Sequence, residues 1–493
     1  MAEQKDFHRN GSIPSESCSS PGTPLPIVTV SESQLRTKID LRLVPTVAIL
    51  YLFCFIDRAN IGNAKISNMD KDIHMTGYDY NLIISAFYVG YIVLEIPAVI
   101  LCKRIGPAKF LPTTCVLFGL CSVGTAFVTT VPEACGVRFL LGIFEAGMLP
   151  GVAYYLSRWY RRAELTFRLS LYVVMAPIAG AFGGLLASAI LTLPHFGGLT
   201  SWRMLFAIEG LITIGVSFLS YFVLSDSPAT AKWLNEAERA LAVARIEAER
   251  DETPLLDTLS SRRFLRGAFS PVTLTVGFVF LLNAMTVQCF AFFLPTIVKT
   301  IYPDFTTVQQ QLYTAPPNVF GAVVMVSCAY LSWKTDRRQI YFIISTPLVI
   351  AGYVMFLASA DPRVRYGATF LVASAFTIGA LANAQVAANV CSDSARSAAI
   401  GVTTMGAHLG GLVGSWSFLP WDAPDYRLGN GLNLGTSGLI LVLSCLLLAW
   451  MKWDNKKRDK RASEGGDEGV PGDREGVERK DLEWKSPTFR WRS

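Results

Sequence analysis

Four charged side chains stand where charge is costly. Asp57 and Arg58 follow the apolar run Tyr51-Leu-Phe-Cys-Phe-Ile56, and Arg138 and Glu145 frame the segment Arg138-Phe-Leu-Leu-Gly142-Ile-Phe-Glu145. A charge at the centre of a membrane-crossing helix costs about 2.5 to 3.5 kcal/mol on insertion scales, so such residues call for a structural or functional reason. The spacing of Arg138 and Glu145 is nearly two helical turns, which sets both on one helix face. Arginine stays charged and grips a carboxylate through two parallel hydrogen bonds. A carboxylate in an apolar setting beside such an arginine has a proton affinity that depends on what the arginine is holding. Asp57 with Arg58, and Arg138 with Glu145, therefore supply the two parts a proton-coupled anion carrier needs: a fixed cation and an acid that exchanges its proton. The same residues would serve equally well as structural ion pairs between helices, and spacing alone leaves both readings open.

Weaker signals surround these four. His408, within Ala407-His408-Leu409-Gly410-Gly411, titrates near neutral pH if it lines a cavity, or packs beside its glycines if it does not. Gln288, Asn383 and Gln385 are polar groups in apolar stretches that either face a cavity or bond one helix to another. Tyr88 and Tyr91 either line a pathway or pack. Glycines at 142, 147 and 151, and at 180, 183 and 184, would let helices approach closely, for sliding or for static packing.

The elements that must position these residues are membrane helices. Of 493 residues, 51% are hydrophobic and only 17% charged, too few charges for a soluble chain of this length. The apolar residues fall in blocks near 20 residues, about what a helix needs to cross a hydrocarbon core. Twelve helices are predicted, near 42–60, 81–101, 111–130, 136–156, 168–192, 203–224, 272–294, 315–333, 340–358, 366–390, 397–418 and 435–452. The hydrophilic stretch 225–271, carrying Lys232, Arg239, Arg245, Arg250, Arg262, Arg263 and Arg266, divides them into six-helix halves, 42–224 and 272–453. Residues 1–41 and 454–493 read as disordered tails. Basic residues such as Lys103, Arg104, Lys109, Arg158, Arg161, Arg337 and Arg338 concentrate in alternate loops, which places both tails and the linker in the cytoplasm. The net charge of +6 is explained by this topology, so the lipid bilayer is the expected partner and a nucleic acid is not. The ten cysteines show no CxxC and no Cys/His pairing, and the four histidines (His8, His74, His195, His408) are not at metal spacing. Free thiols, no metal, no cofactor and no enzymatic nucleophile/base cluster are expected.

An all-α membrane protein with twelve helices in two halves has the layout of a major-facilitator fold, and local segments sharpen that likeness. They include Ile56-Asp57-Arg58-Ala59-Asn60-Ile61-Gly62-Asn63-Ala64, Gly90-Tyr91 with Glu95-Ile96-Pro97, and Arg138 through Gly151 followed by Tyr154-Tyr155-Leu156-Ser157-Arg158-Trp159-Tyr160. Further along come Trp202-Arg203 with Ile208-Glu209-Gly210, Ala231-Lys232-Trp233-Leu234, and Phe293-Leu294-Pro295-Thr296-Ile297. From about 42 to 415 the chain resembles the anion:cation symporter branch of the major facilitator superfamily, and in particular its fungal allantoate permease-like group. The resemblance implies that Asp57 and Glu145 are coupling carboxylates, while Arg58 and Arg138 bind substrate or pair with those acids. Tyr88, Tyr91, Gln288, Asn383 and His408 are the further substrate-binding candidates. It also implies a small organic anion such as a vitamin, sugar acid or ureide, moved with a proton by a monomer in the plasma membrane. The second half departs from the group's pattern at Pro316-Pro317-Asn318, at Cys391-Ser-Asp393-Ser-Ala-Arg396 and at His408. Export of a metabolite and a non-transporting nutrient sensor are the rival expectations.

Overall fold

A computed structural model describes residues 31–194, 198–199, 201–252, 261–390, 392–463, 483–486 and 489–492. His8, His195, Cys391 and most of both expected tails lie outside the described residues. Among the described residues, eleven helices are long and apolar enough to cross a membrane. We label the spans α1 (Glu32–Ala64), α2 (Asp79–Ile105), α3 (Pro107–Thr125), α4 (Val131–Ser157), α5 (Leu171–Leu191) and α6 (Ser201–Val223) in the first half. The second half contains α7 (Pro271–Ile301), α8 (Ala315–Thr335), α9 (Gln339–Ala358), α10 (Pro362–Ala387), α11 (Asp393–Gly414) and α12 (Arg427–Ser463).

The expected span 397–418 is α11, a helix of 22 residues that falls short of the others in apolarity. Its Gly, Ala and Thr content has a packing cause. A Cβ at Gly406 would meet the Gly277 carbonyl at 2.7 Å, one at Gly410 would strike the Leu281 carbonyl, and one at Gly414 would meet Met285 at 2.9 Å. Small residues thus let α11 press against the backbone of α7.

Local chemistry sets the helix ends. The Thr130 hydroxyl accepts from Glu133 N ahead of α4, Asp361 caps α10 by accepting from Arg363 N, and Ser392 caps α11 by accepting from Ala395 N. Spans α4 and α10 are each broken into two helices, at Ala146–Gly147 and at Ser374–Ala375.

The expected tails and linker are more ordered than their composition suggests. Helix α1 already begins at Glu32, and the linker contains helices Glu236–Glu252 and Ser261–Ala268. Lys38 pairs with Glu238 at 2.6 Å, Asp40 with Arg168 at 2.5 Å, and Arg245 with both Glu32 and Glu164. These contacts bind the start of α1 to the linker and to the approach to α5. At the other end α12 continues to Ser463, and the chain then folds back: Trp491 is buried against Trp450, its indole N–H donates to Asp454 at 2.7 Å, and Asn389 and Arg492 exchange two backbone-to-amide hydrogen bonds. Paired charges and buried tryptophans order segments that overall polarity marks as tail.

The linker defines one face of the bundle. Hydrogen bonds between the halves gather at the opposite face: Tyr80 to the Phe292 carbonyl, Asn81 to the Phe418 carbonyl, Trp416 to Ser85, Gln311 to the Asn63 carbonyl, and Ser188 to the Val308 carbonyl.

Candidate functional site

Successive residues on a helix point in different directions, so neighbours in sequence do not face each other. This decides how the four charges are used. Asp57 turns toward α3 and α6, where Ser122 donates to its Oδ1 at 2.8 Å and Thr213 donates to its Oδ2 at 3.1 Å. Arg58 turns toward α4, where its Nε donates to Glu145 Oε1 at 3.0 Å and its Nη2 pairs with the same oxygen. The Cys54 thiol donates to that oxygen too, at 3.0 Å. Arg138 is level with Asp57 and Arg58 and not with Glu145, since seven residues of helix rise about 10 Å. Its Nη1 donates to the backbone carbonyls of Asp57, at 3.2 Å, and Arg58, at 3.5 Å.

The expected pairs, Asp57 with Arg58 and Arg138 with Glu145, are therefore replaced by one cross-helix pair, Arg58–Glu145, with Asp57 held by two hydroxyls and Arg138 by two backbone carbonyls. All four side chains are buried. Arg138 keeps Nε and Nη2 without hydrogen-bond partners, and Glu145 keeps Oε2 likewise.

Aromatic rings enclose the Arg58 guanidinium, with Phe55, Phe87 and Tyr91 centroids at 4.6, 5.1 and 5.6 Å. Such placement favours a cation held away from water. Tyr91 also lies against His408 of α11, with ring centroids 4.1 Å apart, and Tyr88 packs on Gly411. The structure thus brings Arg58, Glu145, Tyr88, Tyr91 and His408 together where the halves meet. Gln288 lies on the other side of α1, where it lines a cavity of about 30 Å³ with Asn60, Asn63, Thr314 and Asn318. Asn383 is not among the residues lining that cavity.

Two acids were passed over in the sequence. Glu209 on α6 is fully buried and accepts from the Asn60 side chain, which in turn accepts from Asn63 at 3.1 Å. Glu95 on α2 is buried, with its Oε1 3.8 Å from His408 Nε2. Both sit inside predicted spans, so the rule that singled out the other charges applies to them equally. Among the described residues no cluster of three metal-ligating side chains occurs.

The comparisons with known proteins agree with this architecture. The Major Facilitator Superfamily profile matches residues 47–415. The uncharacterized transporter C1039.04 of Schizosaccharomyces pombe is 32% identical over 468 residues, covering 94% of this chain and 90% of that protein. The MFS-type transporter efuF of Hormonema carpetanum is 32% identical, with 87% of each chain covered. Among solved structures, an inward-facing, unoccupied bacterial homologue of the human lysosomal transporter Spinster superposes with a TM-score of 0.63 at 14% identity, over 84% of this chain and 96% of that one. A D-xylose-proton symporter superposes with a TM-score of 0.62 at 16% identity, over 82% and 97%. With two six-helix halves, membrane-crossing helices and a profile match over most of its length, the chain is a multi-pass membrane transporter and belongs to the Major Facilitator Superfamily.

Proposed function

We propose that this transporter moves a small organic anion together with a proton, by alternating access, with Arg58 as the anion clamp and Glu145 as the coupling acid. The observation that carries the reading is the buried Arg58–Glu145 pair at the junction of the halves. Glu145 occupies the guanidinium edge that a substrate carboxylate would need. A proton arriving at Glu145 removes its claim on Arg58, and the freed guanidinium can then take a carboxylate through two parallel hydrogen bonds. Anion and proton are bound together because each makes room for the other. Arg138 braces the peptide bonds on either side of Arg58, so it fixes where the clamp points. Asp57 is a second coupling candidate, held by two hydroxyl donors.

The cavity beside α1 has room for about one or two water molecules. Arg58 and Glu145 are themselves buried, so a substrate reaches the clamp only when the halves part. The basic loops at the linker face support a cytoplasmic location for that face and for both tails, and we take the transporter to be a monomer in the plasma membrane.

The test is uptake of a panel of labelled carboxylates by reconstituted vesicles, with and without a proton gradient, for the native protein and Arg58→Lys. Gradient-dependent uptake should be lost in the Lys variant, because an ammonium cannot reproduce the planar two-bond grip. Native affinity in that variant would overturn the clamp.

A further inference from the structure

One face of α2 runs along one face of α11 as a ladder of contacts joining the halves. From the face opposite the linker inward, Ser85 meets Ser415 at 3.2 Å and Trp416 at 2.9 Å, Tyr88 meets Gly411, and Tyr91 lies tilted against His408. The ladder's next rung inward is Glu95, whose Oε1 is 3.8 Å from His408 Nε2. That separation is too long for a hydrogen bond. Both groups are nonetheless nine-tenths buried, and Glu95 Oε2 and His408 Nε2 each lack a hydrogen-bond partner. A buried carboxylate and a buried imidazole side by side, one on each half and each with an unsatisfied atom, are costly unless something joins them.

We propose that Glu95 and His408 form a proton-operated hasp between the halves: one shared proton draws them into a hydrogen bond, and its loss lets α2 and α11 separate. With the proton present, either the imidazole N–H donates to the carboxylate or the carboxylic acid donates to the imidazole. In both forms one donor meets one acceptor and the pair is satisfied. Without the proton an Nε2–H tautomer can still donate, but the pair then carries an uncompensated negative charge in a buried setting, which parting of α2 and α11 would hydrate. Acid conditions therefore favour the arrangement in which the face opposite the linker is closed, and alkaline conditions favour its opening.

The charged and titratable neighbours are few. Arg58 from α1 reaches this level across Tyr91, with Glu145 from α4 bound behind it. Helices α7 and α10, which also pack on α11, carry charged side chains only near their far ends, at Lys299, Arg363 and Arg365. The helix Ser261–Ala268, also packed on α11, places Arg262, Arg263 and Arg266 at the linker-side end. Glu133, Arg138 and Lys109 complete the charges on the helices α3 and α4 that flank α2.

The hasp rests on the alternating-access reading for the identity of the two conformers, but its test needs no substrate. Spin labels at Thr76→Cys and Ala423→Cys, in loops of opposite halves on the face opposite the linker, report the distance between the halves in lipid vesicles. Lowering the pH from 8 to 5 should shift the ratio of short-distance to long-distance populations roughly tenfold, the middle of the usual range for coupled sites. Glu95→Gln and His408→Gln should each abolish that pH response, whereas Lys299→Gln, at the far end of α7, should retain it. Two populations whose ratio ignores pH, or a response that survives both substitutions, would overturn the hasp and leave the transport reading standing. One fixed distance at every pH would overturn both.

Discussion

Replacing Glu145 by Gln imitates permanent protonation of the coupling acid while keeping its shape. In the native pair, Oε1 of Glu145 accepts from Nε and Nη2 of Arg58 and from the thiol of Cys54. The amide oxygen of Gln can still accept from all three, so what disappears is the charge. For charges about 4 Å apart at an effective dielectric near 20, the attraction is roughly 4 kcal/mol. Retained hydrogen bonds reduce the loss to about 3 kcal/mol, the lower end for breaking a buried pair. An incoming carboxylate would recover that energy, since it restores the missing charge at Arg58. The Gln variant should therefore bind a transported carboxylate up to about 100-fold more tightly. It should support counterflow, because binding and reorientation are intact, yet fail to accumulate substrate, because no proton leaves to drive the return step. Counterflow and proton-driven uptake measured in the same vesicles decide the matter. Full proton-driven accumulation by the variant would refute the coupling role, and loss of both activities with weakened folding would make Glu145 a structural partner only.

Three further outcomes are expected. Gly142→Ala should destabilise the protein by about 1 to 3 kcal/mol or prevent folding, because the added methyl strikes the Phe87 carbonyl, while Gly215→Ala, with open space around it, should be neutral; thermal unfolding in detergent compares them. Lys38 and the Asn235 amide hold the Glu238 carboxyl below its usual range, so this contact contributes stability above the ordinary glutamate value of about 4.3, which is lost as pH falls through the lower folded-state value. Hydrogen-exchange protection in the helix Glu236–Glu252, relative to the intrinsic rate at each pH, should fall in acid across that window, and Lys38→Ala should reproduce the loss at neutral pH. Trp491→Ala should cost about 3 to 5 kcal/mol in the stability of the second half, measured by chemical denaturation, because it empties an aromatic cluster with Trp450, Trp484 and Phe489.

Helix existence and order were legible because the bilayer imposes one length and one polarity on every span. The individual charged residues were legible for the same reason, since any charge in such a setting stands out. Their partners were not. Asp57 and Arg58 look like a pair in the sequence, but a helix separates consecutive side chains by about 100°, and only the packing of α1 among α3, α4 and α6 assigns each its neighbour. Glu95 and His408 are even less accessible to sequence reasoning, being more than 300 positions apart on different halves. The folded-back segment ending at Arg492 was hidden by averaging, because its scattered tryptophans are outnumbered by the charges around them.

The modest apolarity of α11 has a consequence for how the protein enters the membrane. A segment that gains little by dissolving in lipid partitions poorly on its own, whatever its length. The stabilisation that keeps α11 in place comes largely from its glycine face pressed on α7, and α7 is synthesised more than a hundred residues earlier. Insertion of α11 is then a docking event onto a helix already in the bilayer. A bulky substitution at Gly410 should first be felt during biogenesis, as a chain whose topology is wrong beyond α10, before any finished transporter exists to be assayed.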